Sequence, residues 1–461
     1  MTKKEKNSIN MLSGSLLKNI ILYTIPIVLT GLLQLLFNAA DLIVVGRYCG
    51  RLSVAAVGGS GSITNLIVNL FIGLSVGTGV TVAQALGAKK SDTVHKIVHT
   101  TLPVAVVSGI ILTFIGVCFS ETFLRMMDTP DNVLPLSTIY MQIYFGGIVF
   151  MMVYNFCAAI LRAAGDTKSP LIFLTIAGVI NVILNLIFVT VFHMNVAGVA
   201  LATTISQAVS AVLVVIKLTK RTDACKLEFS KIKFYKSQFL KMARIGLPAG
   251  LQGSLFSISN VIIQSSINSF GDVLMSGNAA ALNIEGFIFV ALNAFHQTAL
   301  NFIGQNVGAG QFKRVKKILW TCLCSVAIVG SLLGSAAYFA GPSLLSIYIT
   351  DSAEAIKWGV IRLGCLCIPY CFCGMMDVST AALRGIGSSV APMIISVLGV
   401  CGIRIGWIYT IFQIPKFHTP QCLYYSYAIS WAITFLAQLT MFFILFRKKT
   451  AAIKTNDSNQ S

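Results

Sequence analysis

Long apolar runs interrupted by short polar stretches account for nearly the whole chain. Twelve of them approach or exceed the roughly 20 residues a helix needs to cross a bilayer. They lie at about 19–45, 53–86, 97–119, 133–160, 170–192, 196–216, 242–269, 275–307, 318–340, 358–383, 390–413 and 423–446. This pattern predicts an all-α polytopic membrane protein with twelve transmembrane helices. The stretches between the runs are too short to form a soluble domain.

Composition agrees with a lipid-facing surface. Of 461 residues, 56% are apolar and only 11% charged, and the mean hydropathy is +0.82. Soluble domains carry about 25% charged residues. The net charge of +19 invites a nucleic-acid reading, but the basic residues do not gather on one foldable patch. They fall between the apolar runs, and they alternate. With the N-terminus in the cytoplasm, the inner segments hold 27 of the 34 Lys and Arg: Lys3–Lys18, Lys89–Lys96, Arg162–Lys168, Lys217–Arg244, Lys313–Lys317, Arg384 and Arg447–Lys454. Arg47, Arg51, Arg125, Lys357, Arg362 and Lys416 fall outside, and Arg404 falls within a span. By the positive-inside rule both termini are cytoplasmic, in a multi-pass protein of the cell membrane. The run from Asn19 is too long for a leader's apolar segment and reads as the first span.

An internal repeat organises the chain. Arg162-Ala-Ala-Gly165-Asp-Thr-Lys-Ser-Pro170 returns 222 residues later as Arg384-Gly-Ile-Gly387-Ser-Ser-Val-Ala-Pro392. Pro26 and Pro248, Gly31 and Gly253, and Asn38 and Asn260 share that offset. Gln84-Ala-Leu-Gly87-Ala88 returns as Gln305-Asn-Val-Gly308-Ala309. Each half has six spans, an even number, so both halves enter the membrane in the same direction. That makes a parallel repeat with a pseudo-two-fold axis along the membrane normal, as in transporters. The expected domains are an N-lobe at 1–218, a basic cytoplasmic linker at 219–240, a C-lobe at 241–446 and a tail at 447–461. A central cleft between the lobes is the natural substrate site. Pro26 and Pro248 lie inside the first span of each half, where each removes a hydrogen bond and favours a kink.

Other chemistry finds little support. The chain has no Walker A, HExxH or GxSxG motif. ATP is therefore not the expected energy source, an enzyme is not expected, and an ion gradient is the remaining drive. The glycines at 58–61 and 73–79 read as close helix packing. Cys365, Cys367, Cys371 and Cys373, on one predicted helix, read as small packing residues; their spacing does not suit a zinc site. No cofactor is expected.

Ionisable groups at bilayer depth are costly and are functional candidates by default. Three acids qualify: Asp41, Glu285 and Asp377. Gln34, Asn38 and Asp41 follow i, i+4, i+7 and share a helix face. Asp41 can bind H⁺ or Na⁺; the alternative is an interfacial acid paired with Arg47. Tyr140, Asn155, Asn181 and Asn185 can complete a polar pocket around it, or serve as interhelical hydrogen-bonding groups. In the second half Asn260, Gln264 and Asn268 share a face, with no acid where Asp41 would recur. Glu285 can neutralise a cationic substrate or take part in coupling. Asp377, near Arg384, can bind or gate. His296 reads as a buried, satisfied histidine.

These residues resemble the multidrug and toxic compound extrusion (MATE) transporters of bacterial type. The resemblance rests on Pro26, Asn38-Ala-Ala-Asp41, Val44-Val-Gly46-Arg47, the two Gln-x-x-Gly-Ala stretches and the repeated Arg-x-x-Gly-x-x-x-x-Pro, and covers about 15–446. It implies a V-shaped fold of two six-helix lobes and export of amphipathic, often cationic, organic compounds in exchange for H⁺ or Na⁺. It also implies that Asp41 is the N-lobe coupling acid, with Asn38, Tyr140, Asn155, Asn181 and Asn185 around it. Gln34, Asn260, Gln264, Glu285 and Asp377 are assigned to the substrate cleft. Asn185 stands where some members have a second acid, and the seventh span lacks the acid other members carry. The expected partners are the small-molecule substrate and the bilayer, with the monomer as the functional unit. A flippase for lipid-linked saccharides is the alternative; it needs a strongly basic cavity, for which Arg404 is the chief candidate.

Overall fold

The computed structural model describes residues 8–350 and 352–458. Lys3, Lys4 and Lys6, the side chain of Lys454 and the last three residues of the 447–461 tail lie outside the described residues. Among the described residues there are helices and no strands. The order is α1 (Leu16–Tyr48), α2 (Arg51–Gly87), α3 (Ser91–Met126), α4 (Leu134–Gly146), α5 (Ile148–Ala163), α6 (Lys168–Leu186) and α7 (Asn195–Thr219). Then follow α8 (Lys236–Asn268), α9 (Asp272–Gly308), α10 (Phe312–Phe339), the short α11 (Gly341–Leu345), α12 (Ala353–Cys367), α13 (Tyr370–Gly385), α14 (Val390–Ser396), α15 (Ile403–Tyr409) and α16 (Pro420–Ser458).

Among the described residues nine helices are long and apolar enough to span a membrane, and two bent pairs bring the number to eleven. The twelfth expected span is α8, which has the length but carries Gln252, Asn260, Gln264 and Asn268 among its apolar residues. The fourth and tenth spans are not single helices, as expected from their apolar runs. Pairs α4–α5 and α12–α13 bend by 46° and 44°. Gly147, at φ −97°, ψ 0°, breaks the first, and Pro369, which lacks a backbone N–H, breaks the second. The four clustered cysteines are thereby split between α12 and α13. Helices α1 and α8 run through Pro26 and Pro248 without interruption.

The repeated motifs are helix stops. Gly165 and Gly387 adopt φ of +88° and +96°. After each, the next amide reaches back to the carbonyl five residues earlier: Asp166 to Leu161 and Ser388 to Leu383, both at 2.9 Å. This is the Schellman arrangement, which satisfies carbonyls that the helix end leaves open. The second motif ends α2 and α9 in the same way, with Lys89 at φ +54° and Gly310 at φ +70° in the left-handed position.

The chain forms two compact units. The first comprises Met1–Asn10 and Ile25–Ser254; the second comprises Met11–Thr24 and Leu255–Ser461. These limits differ from a division at the 219–240 linker, because α1 and α8 each contribute to both units. In the first unit α3 packs on α4 and α5, and α7 on α5 and α6. Its core joins Val98 and Leu112 to Phe145, Met152 and Phe156. Glycines let α2 and α8 meet backbone to backbone: a Cβ on Gly73 would lie 2.2 Å from Gly250 N, and one on Gly77 would lie 2.1 Å from Met242 O. The linker is tied down within this unit. The Glu228 amide donates to His99 Nε2 at 3.0 Å and the Tyr235 amide to Thr100 Oγ1 at 3.2 Å. In the second unit α13 packs on α9, α10 and α16.

Candidate functional site

The polar centre of the first unit is built by α1, α6 and α7. On α6, Asn181 and Asn185 lie one turn apart, so both amides face the same way. Asn185 Nδ2 donates to Asp41 Oδ1 on α1 and also lies 3.3 Å from Asn181 Oδ1. Asn181 Nδ2 donates to Thr203 Oγ1 on α7 at 3.3 Å; the Thr203 hydroxyl donates to Val199 O at 3.0 Å and lies near the Asp41 carboxylate. Asn185 is completely buried, and its Oδ1 has no hydrogen-bond partner. One amide oxygen beside the Asp41 contact is therefore unused. Val44, Val45, Val189 and Val199 form an apolar cluster here, against which Tyr140 packs. Tyr140 also lies within electrostatic range of Asp41.

Among the described residues no ion pair joins Asp41 to Arg47, which is exposed. A lone carboxylate among neutral oxygen and amide groups suits a proton or a hard cation such as Na⁺, which prefers oxygen ligands. The other sequence-predicted residues are less closely involved. Asn155 donates to Met151 O of its own helix at 2.9 Å. Gln34 and Asn38 are exposed and make no side-chain hydrogen bond among the described residues. Thr203 was not singled out from the sequence, although its hydroxyl at bilayer depth in the 196–216 run was a usable signal.

The second unit holds a different network. Arg362 on α12 donates through Nε and Nη2 to the two Glu285 oxygens on α9, at 2.7 and 2.9 Å, and through Nη1 to Asn278 Oδ1 at 2.7 Å. Asn278 donates to Gln264 Oε1 at 3.1 Å, and Gln264 donates to Asn268 Oδ1 at 2.8 Å. Glu285, expected to neutralise a cationic substrate or take part in coupling, is paired with Arg362. Arg362, expected on the outer side, is 1% exposed, in the interior of the unit. Its position within the 358–383 apolar run was the signal for this. Asn260 is exposed. Asp377 interacts electrostatically with Arg384. His296 is buried, as read from the sequence, with Nδ1 2.9 Å from Asp377 O. Among the described residues no cluster of His, Cys, Asp or Glu is arranged to hold a metal ion.

A profile of the MatE family matches the chain twice, over residues 26–187 and again over 248–410. The chain belongs to the MatE family. The two MatE matches begin at Pro26 and Pro248, the pair that defines the 222-residue repeat. The chain is 29% identical to the probable multidrug resistance protein YpnP of Bacillus subtilis, over 85% of this chain and 87% of that protein. It is 26% identical to an FAD transporter of Shewanella oneidensis, over 80% and 82% of the two. Among solved structures it is similar to a MOP superfamily transporter from Pyrococcus furiosus, with a TM-score of 0.89, 20% identity and coverage of 98% and 99%. At that identity the likeness speaks for the fold. The protein is thus a multi-pass membrane transporter of the MATE multidrug efflux family.

Proposed function

We propose that this MatE member is a secondary antiporter that exports amphipathic, often cationic, organic compounds in exchange for H⁺ or Na⁺. The observation that carries the reading is Asp41, a carboxylate that accepts from Asn185, with Thr203 nearby and no basic partner among the described residues. Ion binding there favours one arrangement of the two halves, and substrate binding favours the other. Each ligand shifts the balance only through its difference in affinity for the two states. A protein using both alternately exchanges one for the other by alternating access. The unused Asn185 Oδ1 supplies a ligand oxygen for Na⁺, or an acceptor for a protonated carboxyl. The lipid-linked saccharide alternative is less well supported, because it needs a strongly basic cavity and Glu285 already neutralises Arg362, which leaves Arg404 as a single buried cation rather than a basic cluster.

The test is ethidium efflux from proteoliposomes with pH and Na⁺ gradients imposed separately. The intact protein is expected to respond to at least one gradient, and Asp41→Asn to neither, while remaining folded. Gradient-driven efflux by Asp41→Asn would falsify the assignment.

A further inference from the structure

The second unit contains a buried cation that its own acids do not neutralise. Arg404, on α15, is 4% exposed. Its Nε donates to Ser430 Oγ on α16 at 3.0 Å. Its guanidinium lies 3.9 Å from the Tyr427 ring centroid and 5.5 Å from that of Trp431. The groups that act on it most strongly are Tyr427, Cys373, Cys401 and Tyr370, none of them a carboxylate, and no ion pair joins it to an acid among the described residues. Glu285 is paired with Arg362, and Asp377 lies in electrostatic range of Arg384. Nη2 of Arg404 is buried and has no hydrogen-bond partner.

An uncompensated buried charge is expensive, and more so at bilayer depth. Aromatic faces offset part of that cost but do not satisfy an N–H. The cheapest remedy is an anion on the open edge of the guanidinium. A carboxylate suits it, because its two oxygens accept side by side from one guanidinium edge. The repeat supports a functional placement. Arg404 falls 222 residues after Val182, which lies between Asn181 and Asn185. The same stretch of the repeated span therefore carries the amide that contacts Asp41 of α1 in the first half and a base in the second. Each polar centre also adjoins a π-helical segment, Ile187–Val191 after Asn185 and Val397–Gly402 before Arg404, a deviation often found at functional sites.

We infer that Arg404, Ser430, Tyr427 and Trp431 form a subsite for the carboxylate of an aromatic, amphipathic organic acid or zwitterion. Occupancy requires the surrounding helices to open, and in that respect the inference rests on the conformational cycle proposed above. Substrates of this protein then include compounds bearing a carboxylate as well as cations.

The test measures binding without any gradient, so it is independent of ion coupling. The full chain in nanodiscs is titrated with 2-naphthoate and its uncharged isostere 2-naphthamide, with tryptophan fluorescence and thermal midpoint as readouts. Naphthoate is expected to bind about tenfold or more tightly than naphthamide, as befits a charge-assisted hydrogen bond. Arg404→Gln is expected to erase that preference and Arg404→Lys to keep part of it. Ser430→Ala, a milder change that guards against misfolding of the Arg404 variants, is expected to weaken naphthoate alone. Equal binding of the two probes overturns the inference. So does a preference that survives in Arg404→Gln, or one that chloride alone abolishes in the intact protein. Failure of Asp41-dependent efflux with an intact naphthoate preference would sink the antiport reading and leave the subsite standing.

Discussion

Arg362 grips Glu285 through two parallel hydrogen bonds of 2.7 and 2.9 Å, with both side chains almost wholly out of solvent. Breaking one side of such a pair strands the other charge, at a cost of about 3–5 kcal/mol. Glu285→Gln and Arg362→Met are each expected to lower the thermal midpoint sharply. The double variant should recover most of the loss. A double-mutant cycle of midpoints measures the coupling, and additive losses would contradict it.

Backbone contact between α2 and α8 leaves no room for side chains. Gly250→Val places carbon where Leu70 O already sits, 2.2 Å from a built Cβ. Overpacking of this kind costs about 1–3 kcal/mol. Gly58→Ala, with nothing within 4 Å of its Cβ position, is the matched control and should be well tolerated. Detergent thermal-shift assays compare the two.

The helix stops after α2 and α9 offer a reciprocal pair. Gly310 and Lys89 occupy equivalent left-handed positions, and no atom lies within 4 Å of a Cβ added to Gly310. Gly310→Ala should therefore cost about 1–2 kcal/mol through backbone conformation alone. Lys89→Gly should raise stability by up to a similar amount. Opposite signs in thermal midpoint are the expected result.

Asn185 is expected to matter to ion affinity more than to folding. Asn185→Ala removes one hydrogen bond from the Asp41 carboxylate and one potential cation ligand. A lost bond to a charged group amounts to about 1.5–3 kcal/mol. The concentration of coupling ion for half-maximal efflux should shift by about tenfold or more. An unchanged ion dependence would remove Asn185 from the site.

Acid is expected to loosen the cytoplasmic linker. Burial raises the Asp223 carboxyl, but the hydrogen bond and charge of Arg221 outweigh it and hold the group below its usual 3.8. The Lys231 hydrogen bond likewise holds Glu228 below 4.5. Groups with depressed folded values stabilise the docked linker above their unfolded values and lose that contribution as pH falls through the folded ones. Protease cleavage within 219–235 should therefore rise as pH drops below about 4. Asp223→Asn should show faster cleavage at neutral pH and a flatter acid response.

The apolar runs, the repeat and the intramembrane acids determined the all-helical architecture, the family and the importance of Asp41 as a candidate. Helices satisfy their backbone hydrogen bonds locally, so length and hydropathy suffice to read them. The breaks at Gly147 and Pro369 were present as residue types but not as bends, since neighbouring helices decide whether such residues end a helix or let it continue, as at Pro26. Tertiary structure alone decided the pairing of charges. Asp41 meets Asn185 across 144 residues and Glu285 meets Arg362 across 77, while Arg404 is left without an acid. Such partners depend on which helix faces pack together, and that is a collective property of the bundle rather than of any one segment.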